Sequence, residues 1–549
     1  MQYNAGSGIS GLLKDGYRHL SGLEEAVLKN IDACCELAAI HRTSLGPNGM
    51  LKLVINNVDK LFVTSDTATI VQEMEVMHPA ANMVVQAAQM QEKEIGDGTN
   101  FVVTFAGELL KKAADLIDMG VHVSDIIAGY EKSIQKTLDY LDTLIVDKVE
   151  DVRDKDRIKS ILNSIIASKQ YGHESVLSSV ISEACVNALP KSPAKADLDV
   201  DNVRVVKLNG SSVDNTSCIQ GMILRNGVVG SVRHIKQAKI CVLACGLEAS
   251  SSETKGTVLI HNADELVNFS KNEEQDFGDE IESIAKQGIN VIIAGGQISE
   301  MARHFLNKYG ILGISLGSKF DLRRLCRSIG AVALVRVGPP VPEEIGTCAA
   351  VDCIEIGGKT VVQFKQDQEQ GVISTIIVRG STDNILDDVE RCINNSVNTM
   401  KTLCKDGRLL AGAGASDMNL AVYLSQFGEE CPGLDQYAVK KFAEALEVVP
   451  RILAENSGKD ATNIITLLYK EHTKNPKSTI GVDIEGEDIC DALTGGEYPI
   501  YDLYATKKNA LRLAADVAIT ILRVDQIIMA KEAGGPKFRG PQGDVDPDM

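Results

Sequence analysis

Apolar residues recur at three- and four-residue steps through the first and last thirds of the chain, which predicts amphipathic helices there. Clear examples cover residues 22–41 and the stretch after Thr99, and helical patterns continue to about residue 146. The middle third changes to short β-branched runs with helical stretches between several of them, which is typical of an α/β unit over about 213–364. These β-rich runs are 203–208, 239–243, 290–294, 311–316 and 331–337.

The sequence Gly96-Asp97-Gly98-Thr99 directly precedes one of the strongest helical patterns. Two glycines two residues apart allow a tight turn and let the backbone approach a ligand without interference from Cβ atoms. The carboxylate between them can hold a hard cation such as Mg²⁺. Thr99 and Asn100 are candidate N-cap residues, and the helix N-terminus that they begin is available for a phosphate. The alternative is a polar turn that only caps a core helix, and the spacing excludes a Walker phosphate loop.

Two other segments also place small or acidic residues next to a predicted helix or hairpin. The small-residue loop 412–414 precedes a helical pattern that starts near Met418. A β-hairpin predicted over 51–64 continues directly into Asp66, which places a second carboxylate at the end of a sheet. Either segment by itself is equally consistent with an ordinary turn.

Two stretches lie outside these elements. The polar segment 248–279 is interpreted as an exposed excursion from the α/β unit, longer than an ordinary loop. Residues 524–530 read as a short final strand, and the acidic, Gly/Pro-rich tail that begins at 534 is expected to be disordered.

Composition narrows the class of protein. The length of 549 residues favours roughly three to four domains. Aromatic residues make up only 4% and Trp is absent, so the core must be mainly aliphatic. A net charge of −19 argues against general nucleic-acid or anionic-membrane binding. No signal peptide or membrane span is apparent, and thirteen Cys without paired C-x-x-C spacing indicate reduced thiols in the cytosol.

Several motifs stand in one order along the chain, at 45–50, 66–69, 96–99, 378–380 and 412–415. Each motif is weak alone, but the ordered set resembles the group II chaperonins over essentially the whole chain. Two further stretches, 431–437 and 526–531, resemble one particular subunit type of the eukaryotic cytosolic complex.

The resemblance implies a multidomain α and α/β fold. It has a mostly helical equatorial domain, a small intermediate domain and an α/β apical domain with a lid protrusion. It also implies a double ring of two eight-membered rings, so that seven paralogous subunits are partners. The implied clients are unfolded proteins such as actin and tubulin, prefoldin is an expected co-chaperone, and neither nucleic acid nor membrane is a partner. The segments are 1–147 (equatorial), 148–212 (intermediate), 213–367 (apical), 368–402 (intermediate) and 403–549 (equatorial with an acidic tail).

The resemblance also implies that ATP and Mg²⁺ are the cofactors. Asp97 corresponds to the Mg²⁺ ligand, and Asp66 to a carboxylate beside the γ-phosphate that helps to place the attacking water. Asp502 corresponds to the ribose-binding carboxylate, and helix 299–308 to the helix that faces clients. The remaining implied nucleotide contacts are Leu45, Gly46, Pro47, Gly98, Thr99, Asn100, Ser168, Lys169, Gly412 and Gly414.

The chain departs from the family pattern at functional positions. Asn395 stands where the family usually has its catalytic Asp, and an amide cannot accept a proton from water at neutral pH. Helical geometry is expected to aim the neighbouring acids 387, 388 and 390 at other faces or a turn away. Three functions are therefore compared: an ATP-driven cytoplasmic folding machine, a weakly hydrolysing nucleotide-binding subunit of that machine, and an unrelated metabolic α/β enzyme.

Overall fold

The computed structural model describes residues 23–190, 197–225, 227–248, 263–366, 373–486 and 488–528. Its α-helices are α1 (Leu23–Arg42), α2 (Thr67–Glu73), α3 (Pro79–Glu94), α4 (Thr99–Asp118), α5 (Val123–Leu141), α6 (Lys155–Ala167), α7 (Glu174–Ala188), α8 (Ala263–Lys286), α9 (Glu300–Tyr309), α10 (Lys319–Ile329), α11 (Asp383–Lys405), α12 (Ala415–Glu430), α13 (Asp435–Leu446), α14 (Val448–Asn456), α15 (Ala461–Lys474) and α16 (Tyr504–Leu522).

The strands are short and concentrate in the middle of the chain. They are β1 (Lys52–Ile55), β2 (Leu61–Thr64), β3 (Asp147–Lys148), β4 (Val203–Asn209), β5 (Ser217–Leu224), β6 (Val228–Val229), β7 (His234–Leu243), β8 (Val291–Ala294), β9 (Leu312–Ser315), β10 (Ala333–Leu334), β11 (Gly346–Ile356), β12 (Lys359–Lys365), β13 (Ser374–Gly380), β14 (Arg408–Ala411), β15 (Ile480–Val482), β16 (Ile489–Asp491) and β17 (Tyr501–Leu503).

Helix α4 is the centre of a helical region built from both ends of the chain. It is apolar on nearly every side, which is the pattern of a helix buried by its neighbours. Helices α1, α3, α5, α13 and α16 pack against it. Three of the few aromatic side chains meet here, because Phe442 makes edge-on ring contacts with Phe105 at 5.7 Å and with Tyr130 at 5.5 Å between ring centroids. One hydrophobic core thus joins residues 27–144 with 410–522.

A mixed sheet forms the middle of the chain, with strands in the order β4-β13-β5-β12-β11-β7-β8-β9-β6 and β10 beside β7. Strands β7, β8 and β9 run parallel. Alternate side chains of β7 and β8 belong to two different cores, one shared with α10 and the other with α8 and α9. Because both faces are covered there, β8 and the last four residues of β7 are continuously apolar, as parallel strands usually are.

A third core lies between the helical region and the sheet. It is built mainly by α6, α7 and α11, of which α7 and α11 pack on β4 and β13 and α6 packs on α7. Strand β4 and strand β13 are parallel neighbours in exact register from Val203 opposite Ser374 to Asn209 opposite Gly380. Helix α11 therefore starts at the end of the sheet and reaches back towards the helical region.

Most elements expected from the sequence are present. The helix at 22–41 is α1, and the hairpin at 51–64 is β1 and β2, which pair antiparallel. All thirteen cysteines are free thiols, as expected. None of the helices in the described ranges combines the length and apolar character needed to cross a bilayer.

Two expectations were wrong at least in part. The run 331–337 contains only the two-residue strand β10. Residues 524–527 are irregular, so an apolar run alone did not make a strand there, and residues 529–530 lie outside the described residues. Of the excursion at 248–279, residues 249–262 also lie outside them, and the part from 263 onward belongs to α8.

Candidate functional site

A cavity of about 550 Å³ lies where α4, α12, α16 and the loop after α6 converge. Its wall is assembled from segments that are hundreds of residues apart in the sequence. It includes these predicted site residues: Leu45, Gly46, Pro47, Asp97, Gly98, Ser168, Gly414 and Asp502.

The first wall is the N-terminus of α4. Gly98 is the N-cap residue, with φ of 80°, and no side chain caps the first turn. Gly96 also has a positive φ of 84°, and a Cβ there would lie 2.4 Å from the Cβ of Asn398. The N–H groups of the first turn therefore lack a side-chain acceptor, and the pocket provides space for an anionic ligand.

The N-cap prediction for Thr99 and Asn100 was wrong. Thr99 is the first helical residue and is buried, because Gly98 takes the left-handed conformation that ends the loop. The Asn100 side chain turns away from the pocket, and its Nδ2 donates to the carbonyl oxygen of His41 at 3.2 Å. Asn100 therefore ties α4 to the end of α1.

A second helix N-terminus, that of α12, faces the same cavity. Gly414 is its N-cap, with φ of 78° and again no side-chain cap. Ala413 before it has φ of 54°, a left-handed conformation that costs an L-residue about 1 kcal/mol. Gly412 packs closely on Ile500, because a Cβ atom added at Gly412 would lie 2.8 Å from the Ile500 side chain.

Asp66, Lys169 and Asn395 come together beside the α4 loop. One oxygen of Asp66 (Oδ2) accepts from the backbone N–H of Thr69 at 3.1 Å and from its hydroxyl at 2.9 Å, which caps α2. The other oxygen (Oδ1) accepts from Lys169 Nζ at 2.7 Å and from Asn395 Nδ2 at 3.4 Å. Burial alone would raise the pKa of Asp66, but Lys169 and these hydrogen bonds hold it well below its ordinary value. Asp66 is therefore an ionised carboxylate at neutral pH.

Two acids that the sequence did not assign lie near this cluster. Burial, together with the charge of Asp66, raises the pKa of Glu92 from 4.5 to about 7, and its Oε2 atom is buried without a hydrogen-bond partner. Asp388 accepts from the hydroxyl of Thr64 at 2.6 Å and from the side-chain amide of Gln170. The sequence signal for Asp388 was its position seven residues, or two helical turns, before Asn395.

The acids near Asn395 separate into two groups. Asp387 and Glu390 point away and pair with Lys207 at 2.6 and 2.7 Å. Asp388 instead shares the electrostatic environment of Asp66 and Lys169, and burial raises its pKa. Asp387 and Glu390 are thus aimed elsewhere, and Asp388 lies on the side of Asp66, two turns before Asn395.

A buried ion pair lies beside the first turns of both α4 and α12. Lys507 Nζ lies 2.7 Å from Asp417 Oδ2 and 3.9 Å from Asp502 Oδ2. Its ammonium also lies 4.2 Å from the centroid of the Phe101 ring. Lys507 and Phe101 line the cavity, and sequence patterns gave no reason to single them out.

The residues present fit a metal–nucleotide complex. Asp97 lines the cavity, and burial raises its pKa because no positive charge is close enough to compensate fully. Within the described ranges, no group of three or more His, Cys, Asp or Glu side chains is arranged to hold a metal. A single carboxylate is nevertheless sufficient for Mg²⁺, which usually takes its other ligands from water and substrate phosphates.

Comparison with known proteins gives a consistent result. The sequence profile of the TCP-1/cpn60 chaperonin family matches residues 37–532. The chain is 50% identical over 544 residues to T-complex protein 1 subunit theta of Gallus gallus and 49% identical to that of Homo sapiens, covering 99% of this chain and 98% of each relative. It is 48% identical over 532 residues to the theta subunit of Arabidopsis thaliana, covering 96% of both chains.

Proposed function

The chain belongs to the TCP-1/cpn60 chaperonin family, and we propose that it is an ATP-driven subunit of a hetero-oligomeric folding ring. The family resemblance and the fold class expected from the sequence are confirmed, and a chaperonin role in protein folding follows. The subunit type that 431–437 and 526–531 resembled is theta, the name carried by these relatives.

The proposal extends to assembly and location. The chain works in the cytoplasm with seven paralogous subunits in a double eight-membered ring, receives clients such as actin and tubulin, and cooperates with prefoldin. The separate cores of the helical region, of the sheet and of the segment between them support a division into equatorial, intermediate and apical domains at the boundaries 147, 212, 367 and 402.

The observation that carries the nucleotide role is the cavity with two uncapped helix N-termini and an acidic side chain between them. The phosphates of ATP would lie against the first turn of α4, with Asp97 holding the accompanying Mg²⁺. Bound Mg²⁺ would neutralise phosphate charge. Lys169 and Asp66 form an ion pair whose charges act on Asp97. We expect the ammonium to contact the γ-phosphate and the carboxylate to orient water.

Asn395 favours a second version of this function, in which the subunit binds ATP and hydrolyses it slowly. Its amide donates to Asp66 at 3.4 Å and has no proton-accepting role. Asp66 retains its charge and can still orient water, so hydrolysis would be slow rather than absent. The contribution of this subunit would then be mainly to ring timing and client contact.

The β1–β2 hairpin supports the assembly proposal. In this two-stranded sheet, Leu53 on β1 is 61% exposed and Val58 in the connecting turn is 83% exposed. An exposed apolar edge is a liability unless another chain covers it, and a neighbouring subunit can do so by strand addition. We expect Leu53→Glu, or removal of residues 526–549, to reduce incorporation into rings, measured by native mass. Normal incorporation of both variants would contradict this assembly proposal.

Helix α9 is the proposed client-facing helix. Phe305 belongs to the core, whereas Arg303 and His304 are exposed. The surface that can meet a client is therefore polar and basic rather than the apolar face of α9. Crosslinks from positions 303 and 304 to a bound unfolded protein would support this assignment, and crosslinks found only on other parts of the sheet unit would remove it.

The proposed function is tested by native mass and bound-nucleotide analysis of the purified complex. We expect this chain in a particle of sixteen subunits, with ATP or ADP recovered from it. A small homogeneous species that turns over a metabolite would contradict the proposal and favour the metabolic enzyme. Single-turnover phosphate release then separates the hydrolysing subunit from the slow one.

A further inference from the structure

Asp388 on α11 holds two segments of the site, one with each of its carboxylate oxygens. Its Oδ1 accepts from the hydroxyl of Thr64 at 2.6 Å, and its Oδ2 accepts from the side-chain amide of Gln170. Only 12% of the Asp388 side chain is exposed, and this residue does not line the cavity. Because both oxygens are engaged inside the protein, Asp388 acts on other side chains rather than on a ligand.

The first of these hydrogen bonds fixes the backbone at Asp66. A hydroxyl group has one hydrogen, and Thr64 donates it to Asp388. The Thr64 oxygen is then left as an acceptor, and the backbone N–H of Asp66 donates to it at 3.0 Å. Thr64 is fully buried and Asp66 is 4% exposed, so water has no access to replace either bond. The position of the Asp66 main chain therefore depends on Asp388.

The second hydrogen bond fixes the loop that carries Lys169. Gln170 is the next residue along the chain, and the ammonium of Lys169 donates to Asp66 Oδ1 at 2.7 Å. Asn395, on the same helix as Asp388, donates to that oxygen at 3.4 Å. One carboxylate on α11 is thus connected, through neighbouring residues, to both members of the Asp66–Lys169 ion pair.

We propose that Asp388 is a positioning residue for ATP hydrolysis, which holds Asp66 and Lys169 where they act on the attacking water and the γ-phosphate. The inference deepens the proposed nucleotide function and rests on it. Asp388 neither binds the nucleotide nor accepts a proton from water, because its oxygens already accept from Thr64 and Gln170. Its effect is on orientation, and a displacement of about 1 Å in a site can cost about 100-fold in rate.

The expected signature is a loss of hydrolysis without a loss of binding. Asp388→Ala removes both acceptor oxygens and so loosens Asp66 and Lys169. It leaves the first turn of α4 and Asp97 unchanged, so the affinity for Mg-ATP should change little. We expect hydrolysis at this site to slow by about tenfold or more.

The test follows this subunit alone within the purified native complex. The complex is photolabelled with Mg²⁺ and 8-azido-ATP that carries radioactive phosphorus at either the α or the γ position, and the subunit is separated on a denaturing gel. The α label measures occupancy, and the loss of the γ label relative to the α label over time measures hydrolysis. Wild type and Asn395→Asp both serve as starting points, because the second is expected to give a faster reference rate.

We expect Asp388→Ala to keep the α label and to retain the γ label about ten times longer than its starting point. An unchanged lifetime of the γ label would overturn the inference while leaving the proposed function intact. Loss of the α label in the variant would also overturn it, because Asp388 would then support the structure of the site. Absence of the α label in the wild-type complex would contradict the proposed function itself.

Two variants at Thr64 test the route from Asp388 to Asp66. Thr64→Val keeps the volume of the side chain and removes the hydroxyl, whereas Thr64→Ser keeps the hydroxyl. We expect Thr64→Val to slow hydrolysis and Thr64→Ser to retain most of the reference rate. This comparison also decides the inference if Asp388→Ala does not enter the complex, and equal rates for the two Thr64 variants would then overturn it.

The double variant Thr64→Val/Asp388→Ala should be no slower than Asp388→Ala alone, because both changes break the same chain of hydrogen bonds. A slowing equal to the product of the two single effects would show that Asp388 does not act through Thr64, and would overturn the inference.

Asp387→Ala is the matched control. Asp387 precedes Asp388 on α11, and its carboxylate pairs with Lys207 at 2.6 Å. Its replacement removes an ion pair of the same helix without removing a contact to the Asp66 cluster, so both labels should follow the starting point. Equally slow hydrolysis in this variant would reveal a general effect of α11 and would overturn the specific role of Asp388.

Discussion

The cavity has two ends that begin alike and differ in charge. At each end a helix begins after a glycine in the left-handed conformation, Gly98 before α4 and Gly414 before α12. The loop before α4 carries Asp97 and lies near the acids Asp66 and Glu92, with Lys169 as the ammonium closest to them. The loop before α12 carries no charge at all.

The same backbone conformation, a left-handed glycine before a helix, therefore stands in two different electrostatic environments. At the α4 end the acids exceed the nearby bases, so a naked polyphosphate would be repelled and a metal-neutralised one accepted. At the α12 end the loop is small and uncharged, and the buried ion pair of Lys507 with Asp417 lies next to it. The two helix N-termini therefore share one backbone conformation and differ in the charges around them.

The largest expected effect concerns Asn395→Asp, which would sharpen the contrast by adding a proton acceptor to the α4 end. A positioned general base contributes roughly 10²–10⁴-fold in rate, so single-turnover hydrolysis by this subunit should rise within that range. Phosphate release by rings that carry the variant measures it. Asn394→Asp, an exposed neighbour on the same helix, is the matched control. An unchanged rate, with the native site already as fast as the neighbouring sites, would refute the slow-hydrolysis reading.

Asp97→Ala should reduce the charge difference between the two helix N-termini, because it removes the carboxylate assigned to Mg²⁺. We expect affinity for Mg-ATP to fall by about 100-fold, since the cation loses its only protein ligand in this site. Affinity for the nucleoside adenosine should change little, because it needs no metal. Equilibrium binding measures both, with the exposed Asp118→Ala at the far end of α4 as control. Unchanged Mg-ATP affinity would exclude Asp97 as the ligand.

Glu92→Gln tests whether acids outnumber bases near the N-terminus of α4, and the measured quantity is the free energy of unfolding. The pKa of Glu92 is raised to about 7, so the folded state holds this proton more tightly than the unfolded chain does. By linkage, the free energy of unfolding falls as pH rises from about 4.5 to about 7. The variant should therefore be more stable than wild type by about 3 kcal/mol at pH 8 and nearly equal at pH 4. Urea unfolding at both pH values measures this, with the exposed Glu94→Gln as control; an equal difference at both pH values would contradict it.

The smallest expected effect concerns the uncharged loop before α12. Ala413 has φ of 54°, so Ala413→Gly should relieve a left-handed strain of about 1 kcal/mol and raise the unfolding midpoint without weakening Mg-ATP binding. Ala415→Gly, at an ordinary helical position in the same loop-to-helix junction, should instead destabilise slightly. A destabilised Ala413→Gly variant would mean that the methyl group packs against the nucleoside end in a way that outweighs its strain.

The sequence by itself determined the periodic elements, because helix and strand patterns depend on residues only a few positions apart. The helix α1, the hairpin β1–β2 and the turns of both glycine loops followed from local spacing, and the ordered motifs identified the family. Local rules failed where two neighbouring residues could cap a helix. Thr99 and Asn100 were the better N-caps by type, yet Gly98 takes that position because only glycine adopts its φ of 80° without strain.

Only the tertiary structure decided which charges meet. Lys169 and Asp66 are 103 residues apart, and Asn395 and Asp66 are 329 apart, yet all three share one buried network. Glu92 and Lys507 look like ordinary helical residues in the sequence, and burial beside other charges gives each its chemistry. Coulomb energy depends on distance in space, and desolvation depends on the exclusion of water. Local sequence spacing determines neither the distance nor the exclusion.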